Sequence, residues 1–151
     1  MKRIASVLVV LAIVAATFLF ATVSTQAATP NVAVGAGQVV VIPFHISGQY
    51  TASTTAVVQF NMPFPCQVLG VGATARASGG TTPTLTVDVL KGATPASILS
   101  APISITAGTY SEGTVATAAI ADESPITVDL AIGGTTPTWN DITVLITVAR
   151  K

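Results

Sequence analysis

From residue 31 onward, apolar residues alternate with threonine and aspartate in short runs, and clusters of Gly, Pro, Ser and Thr interrupt the pattern every ten or so residues. Alternation of period two places successive side chains on opposite faces of a strand, and turn clusters at this spacing are those of an antiparallel β-sandwich or jelly roll. The pattern predicts eight strands: Gln38 to Ile46, Thr55 to Met62, Gln67 to Arg76, Thr84 to Leu90, Ser97 to Ile105, Gly113 to Ile120, Pro125 to Ile132 and Asp141 to Ala149. No long amphipathic helix competes with them. Leu85, Val87 and Val89 share one face against Thr84, Thr86 and Asp88, and Ile126, Val128 and Leu130 share one against Thr127 and Asp129. The apolar faces are the expected core. In the last strand Ile142, Val144, Ile146 and Val148 alternate with Thr143, Leu145 and Thr147. Leu145 breaks the polar side, as expected of a central strand or a subunit contact. Pro43 lacks an N–H for a ladder, which assigns its strand to an edge or a bulge.

One hexapeptide, Gly-Gly-Thr-Thr-Pro-Thr, occurs at 79–84 and again at 133–138. Its glycines accept positive φ at little cost and its proline fixes φ near −65°, so each copy is expected to be a turn that launches a strand. Internal duplication and convergence on a good turn explain the repeat equally well, since two copies fall short of a repeat array.

The N-terminus reads as an export segment. Lys2 and Arg3 precede Ile4 to Val23, which carries no charge, and Thr25 and Ala27 supply the small residues for cleavage after Ala27. The rival reading is a retained anchor, because an apolar helix of 20 residues, interrupted only by Ser6, Thr17 and Thr22, at about 1.5 Å each spans a hydrocarbon core of roughly 30 Å. The well-placed cleavage site and the lack of a basic stop-transfer cluster favour the leader. The expected organisation is a signal peptide or anchor over 1–27 and a β domain over 28–151, outside the cytoplasm in either case.

Composition narrows the partners. The chain is long enough for one domain with its own core, and only 8% of its 151 residues are charged. Without Lys2 and Arg3, four bases (Arg76, Lys91, Arg150, Lys151) face six acids, a net of −2. Phosphate binding needs a basic stripe, so nucleic acid is not an expected partner.

Candidate chemistry is sparse. His45 is the single histidine and therefore the base around which any triad would have to form; a lone strand histidine is ordinarily structural or solvated. Asp88, Asp129 and Asp141 could converge on Ca²⁺, but no calcium loop is present and solvent-facing aspartate on strands is the ordinary explanation. Cys66 has no partner for an internal disulfide and is expected to be a buried thiol rather than an intermolecular bridge. No catalytic residue, metal or cofactor is assigned. Glycan binding needs exposed aromatics; Tyr50, Tyr110 and Trp139 fall in expected loops or turns and are the candidate contacts, while Phe44, Phe60 and Phe64 are expected to pack.

The stretch Val57 to Val148 resembles small β-sandwich modules of tailed-phage structural proteins. The likeness rests on Val57-Val58-Gln59-Phe60-Asn61-Met62-Pro63-Phe64-Pro65-Cys66-Gln67-Val68, on Thr84-Leu85-Thr86-Val87-Asp88-Val89-Leu90-Lys91-Gly92, on Ser97-Ile98-Leu99-Ser100 and on Thr127-Val128-Asp129. It carries no catalytic motif. The export segment departs from the soluble virion proteins of such phages and implies a virion with a membrane or a cellular surface protein. Two functions follow as expectations. One is a non-catalytic structural subunit that packs against copies of itself or other structural proteins, with membrane contact through residues 4–23. The other is a secreted or surface-anchored module that binds a glycan or another surface ligand.

Overall fold

The computed structural model describes residues 37–151. The expected leader over 1–27, its apolar run 4–23 and residues 28–36 lie outside the described residues. All regular structure in the described part is strand: β1 (Val39–Tyr50), β2 (Thr54–Asn61), β3 (Cys66–Lys91), β4 (Ala96–Ser97), β5 (Ile103–Ser104), β6 (Ser111–Gly113), β7 (Ala119–Ile120) and β8 (Pro125–Arg150). Every pairing is antiparallel.

The spine is one ladder between the two long strands, from Cys66 opposite Arg150 to Lys91 opposite Ile126. The later half of β8 is flanked on its other side by β1, from Val39 opposite Ala149 to Tyr50 opposite Trp139. Its earlier half is flanked by β2, from Thr54 opposite Leu130 to Asn61 opposite Pro125. β3 is covered in the same way, by β6 and β7 along its first half and by β4 and β5 along its second.

The hexapeptide repeat accounts for the length of β3 and β8. The sequence predicts a turn between two separate strands in each; the structure instead carries the ladder through, because the two copies pair with each other, Gly79 opposite Thr138, Thr81 opposite Thr135 and Thr84 opposite Gly133. The register shifts on both sides of Thr81. Each copy turns with the same residues left-handed, Gly80 and Thr82 in one and Gly134 and Thr136 in the other. Positive φ at two places sharply redirects a strand without ending its pairing.

The core follows the alternation. Leu85, Val87, Val89, Ile126, Val128, Leu130, Ile142, Val144, Ile146 and Val148 are all buried in one hydrophobic cluster, while Thr86, Asp88, Thr127 and Asp129 stay partly exposed. Each such aliphatic side chain contributes about 1.5–3 kcal/mol on leaving water. Ile98 and Leu99 are consecutive and both buried. A regular strand cannot turn two neighbours to one face, so the expected strand over 97–105 is two short pairings, β4 and β5. The expected strand over 113–120 is similarly reduced to β6 and β7, tied across to the first segment by Ser100 N–H to the Thr114 carbonyl and Ala116 N–H to the Ile98 carbonyl. Pro43 sits in β1 at the end of the strand order, an edge position. Phe44 and Phe60 meet with ring centroids 4.7 Å apart, and the Arg150 guanidinium lies 5.0 Å from the centre of the Phe64 ring. Cys66 is a free, fully buried thiol at the start of β3. Burial pushes its pKa up, and the Lys151 charge offsets part of that.

Candidate functional site

Polar side chains gather most closely on the outer side of the β2–β8–β3 region. Asp88 and Asp129 stand directly opposite each other in the β3–β8 ladder. Each is held by its own donor. The Ser97 hydroxyl donates to Asp88 Oδ1 at 2.6 Å, and the Ala56 N–H donates to Asp129 Oδ1 at 2.7 Å. Ala56 reaches that carboxylate because β2 shifts register between Thr54 and Val58, with Ala56 at φ 50°. Ser53 fixes the neighbouring chain, accepting from Ile132 N–H at 2.9 Å. A cleft of about 280 Å³ results, lined by Ser53, Thr55, Thr86, Asp88, Pro102 and Asp129 among others. Two carboxylates and three hydroxyls make it an acceptor-rich recess.

Asp141 does not join these two. It lies in the ladder between β1 and β3, at φ 49°, and takes the Arg76 Nε–H at 2.6 Å and the Gly48 N–H at 3.1 Å. The Gly48 hydrogen bond and then the Arg76 contacts hold its carboxyl below the usual range. Among the described residues, no group of three or more His, Cys, Asp or Glu side chains is arranged to hold a metal. His45 is exposed on β1, with Nδ1 3.1 Å from Thr143 Oγ1.

The three aromatics proposed as ligand contacts are dispersed. Trp139 is a strand residue, 2% exposed and part of the core, which corrects its expected place in a loop. Its alternation with Ile142 and Val144 is hidden by Asn140 and Asp141, where the ladder is irregular. The indole Nε1–H is buried with no partner among the described residues. Tyr50 ends β1 opposite Trp139, half-buried against the core. Tyr110 alone stays open, in the loop before β6, with its ring across Gly72. The acceptor-rich cleft escaped the sequence reading because its walls come from four separate segments; the shared Thr-Val-Asp triplets at 86–88 and 127–129 were its one visible trace.

A second recess, of about 450 Å³, lies where the two ends of the long ladder come together and is lined by Pro65, Lys91, Ile120, Ser124 and Lys151 among others. Lys91 is engaged there, donating from Nζ to the Ala119 carbonyl.

No protein-family model matches the chain, and no curated protein matches it. Among solved structures it is similar to a chain of the cyanophage Pam1 capsid asymmetric unit, with 21% identity, 86% of this chain and 99% of that one covered, and a TM-score of 0.48. It is also similar to the infectious bursal disease virus VP2 subviral particle, with 11% identity, 75% of this chain and 33% of that one covered, and a TM-score of 0.46. Infectious bursal virus-derived T=1 particles match at 14% identity over 75% of this chain and 32% of that one, with a TM-score of 0.44. The chain thus spans about a third of the bursal virus chains it matches. All three are virus-particle structures.

Proposed function

We propose that the chain beyond its leader, residues 28–151, is a jelly-roll subunit that serves a non-catalytic, structural role in a virion or other extracytoplasmic assembly. The observation that carries this reading is the pairing order. The later half of β8 lies between β1 and the first half of β3, which continues to β6 and β7; the earlier half lies between β2 and the second half of β3, which continues to β4 and β5. Two four-membered rows linked by shared long strands support the jelly-roll reading. The buried core holds no polar or charged residue among the described ones, and the surface charge is low. Both favour a stiff unit whose surface desolvates cheaply in repeated contacts. The sequence resemblance to phage structural modules supports the same role by analogy.

A second reading, a glycan-binding module, has one observation in its favour: Tyr110 keeps about half of its surface in solvent, 49%. The test is electron microscopy of the purified chain together with quantitative mass spectrometry of particles from its own source. Regular oligomers, or the chain present at many copies per particle, support the structural role. Its absence from every particle, with no oligomer formed, would exclude that role.

A further inference from the structure

The register of β1, β8 and β3 stacks their outward residues into rows. Val39 lies opposite Ala149, Val41 opposite Thr147 and Pro43 opposite Leu145. Across β8, Thr147 meets Gly70 and Leu145 meets Gly72. Leu69 is the extra residue where the β3 register shifts beside Gly70, and the Tyr110 ring covers Gly72 so closely that a Cβ there would run into it. The large hydrophobics that remain exposed among the described residues therefore share one face: Val39 at 56%, Val41 at 52%, Leu69 at 52% and Tyr110 at 49%. Leu145 lies at its centre. These rows contain no charged residue between β1 and β3; the nearest on β6 is Glu112, exposed opposite Gly72 at the rim of the face.

We propose that this face is the contact for a second copy of the chain, an inference that rests on the structural-subunit reading. The uncharged centre is the first reason. A face turned onto itself about a two-fold axis brings each residue near its own equivalent or that of a neighbour, and a face whose one nearby charge, Glu112, stands at the rim does so with little like-charge repulsion. The edge supplies the second reason, because it selects face-to-face packing over strand addition. β1 ends the strand order, but Pro43 offers no N–H and the register shifts again between Ile46 and Gln49, so a continuous edge ladder with another chain is broken in the middle. Area sets the strength. Three strands about 4.8 Å apart, over about five residues of roughly 3.3 Å, give on the order of 250 Å². That is about a third of the ~800 Å² per partner of a standard stable complex. The contact is accordingly weak as a pair and holds firmly only where several copies reinforce it.

The test is sedimentation equilibrium of the whole chain beside Leu145→Asp and Val41→Asp, with hydrogen exchange at low and high concentration. Wild type should self-associate reversibly, and each variant should weaken association about tenfold or more while its melting temperature stays near that of wild type. Should either strand variant fold poorly, Tyr110→Ser, in a loop, makes the same test. Variants that associate like wild type would overturn this surface and leave the structural role standing. A wild type that stays monomeric throughout would overturn this contact, whereas the structural role fails only if the chain is also absent from every particle. Protection of the Val39–Ile42 amides beyond that conferred by the β1–β8 ladder should appear as the chain associates; exchange at these amides that does not change with concentration while the chain associates would also overturn the proposal.

Discussion

Thr82 and Thr136 adopt the same left-handed φ of 47° on the two strands of one ladder, and each hydroxyl bonds the carbonyl of the preceding threonine at 2.8 Å. The glycines two residues earlier are matched as well. A Cβ on Gly134 would lie 2.7 Å from the Thr82 carbonyl oxygen, and one on Gly80 would strike that of Thr136. The corner is thus two-fold symmetric in sequence, dihedral angle and contact, which predicts matched energetics. Gly80→Ala and Gly134→Ala should each destabilise by about 1–3 kcal/mol, and by similar amounts. Thr82→Gly and Thr136→Gly relieve an unfavourable φ and should cost little or stabilise by up to about 1 kcal/mol. Chemical denaturation of the four variants measures this; a large inequality between the copies would show that the corner is not symmetric in energy.

The two faces of the spine differ in tolerance. Val87→Lys and Val128→Lys place a charge where the wild-type side chains are fully buried, and should unfold the domain. Thr86→Lys and Thr127→Lys lie on the outer side and should fold normally. Circular dichroism at room temperature separates the outcomes, and equal damage on both faces would contradict the register.

Asp88 and Asp129 are like charges directly opposite in a ladder, an arrangement that costs roughly 0.2–1 kcal/mol. Asp129→Asn keeps an acceptor for the Ala56 N–H and removes one charge, so it should raise the melting temperature at low salt, with the gain shrinking as salt is added. Asp129→Ala loses the acceptor and should not share that gain. A melting temperature lowered by Asp129→Asn would mean that the pair is not repulsive in the folded chain, as it would not be if it shared a bound cation.

Much of this fold is legible in the residues because the core strands alternate strictly: Leu85 to Val89, Ile126 to Leu130 and Ile142 to Val148 can satisfy one buried face in one register only. Three features resist such reading. The hexapeptides look like turns since glycine and proline punctuate chains locally, and only a second copy placed across the ladder lets pairing continue through them. Ile98 and Leu99 carry no period because both point inward from an irregular segment. Trp139 borders Asn140 and the left-handed Asp141, so polar neighbours disguise a core residue. The outer apolar face was legible at one position, Leu145; its other members come together through register and a bulge.

Asp141 carries a pH signature. Its carboxyl is held low in the folded chain by the Gly48 N–H first and by Arg76 next. A depressed folded pKa contributes stability above the ordinary carboxylate pKa and loses it as pH falls through the folded value. Acid titration of stability should therefore be shallower in Asp141→Asn than in wild type below about pH 4, with the two curves parallel near neutrality. Superimposable slopes in acid would show that the contacts do not bias the carboxyl. The group is solvent-accessible, so salt should narrow the difference.

The mass of the purified chain in solution, followed by sedimentation velocity over a wide concentration range, bears most directly on the structural role. The account predicts a weight-average mass that rises with concentration toward discrete oligomers or particles, unchanged in His45→Ala. A single monomeric boundary at every concentration, together with retention of a defined sugar that Tyr110→Ala abolishes, would contradict it.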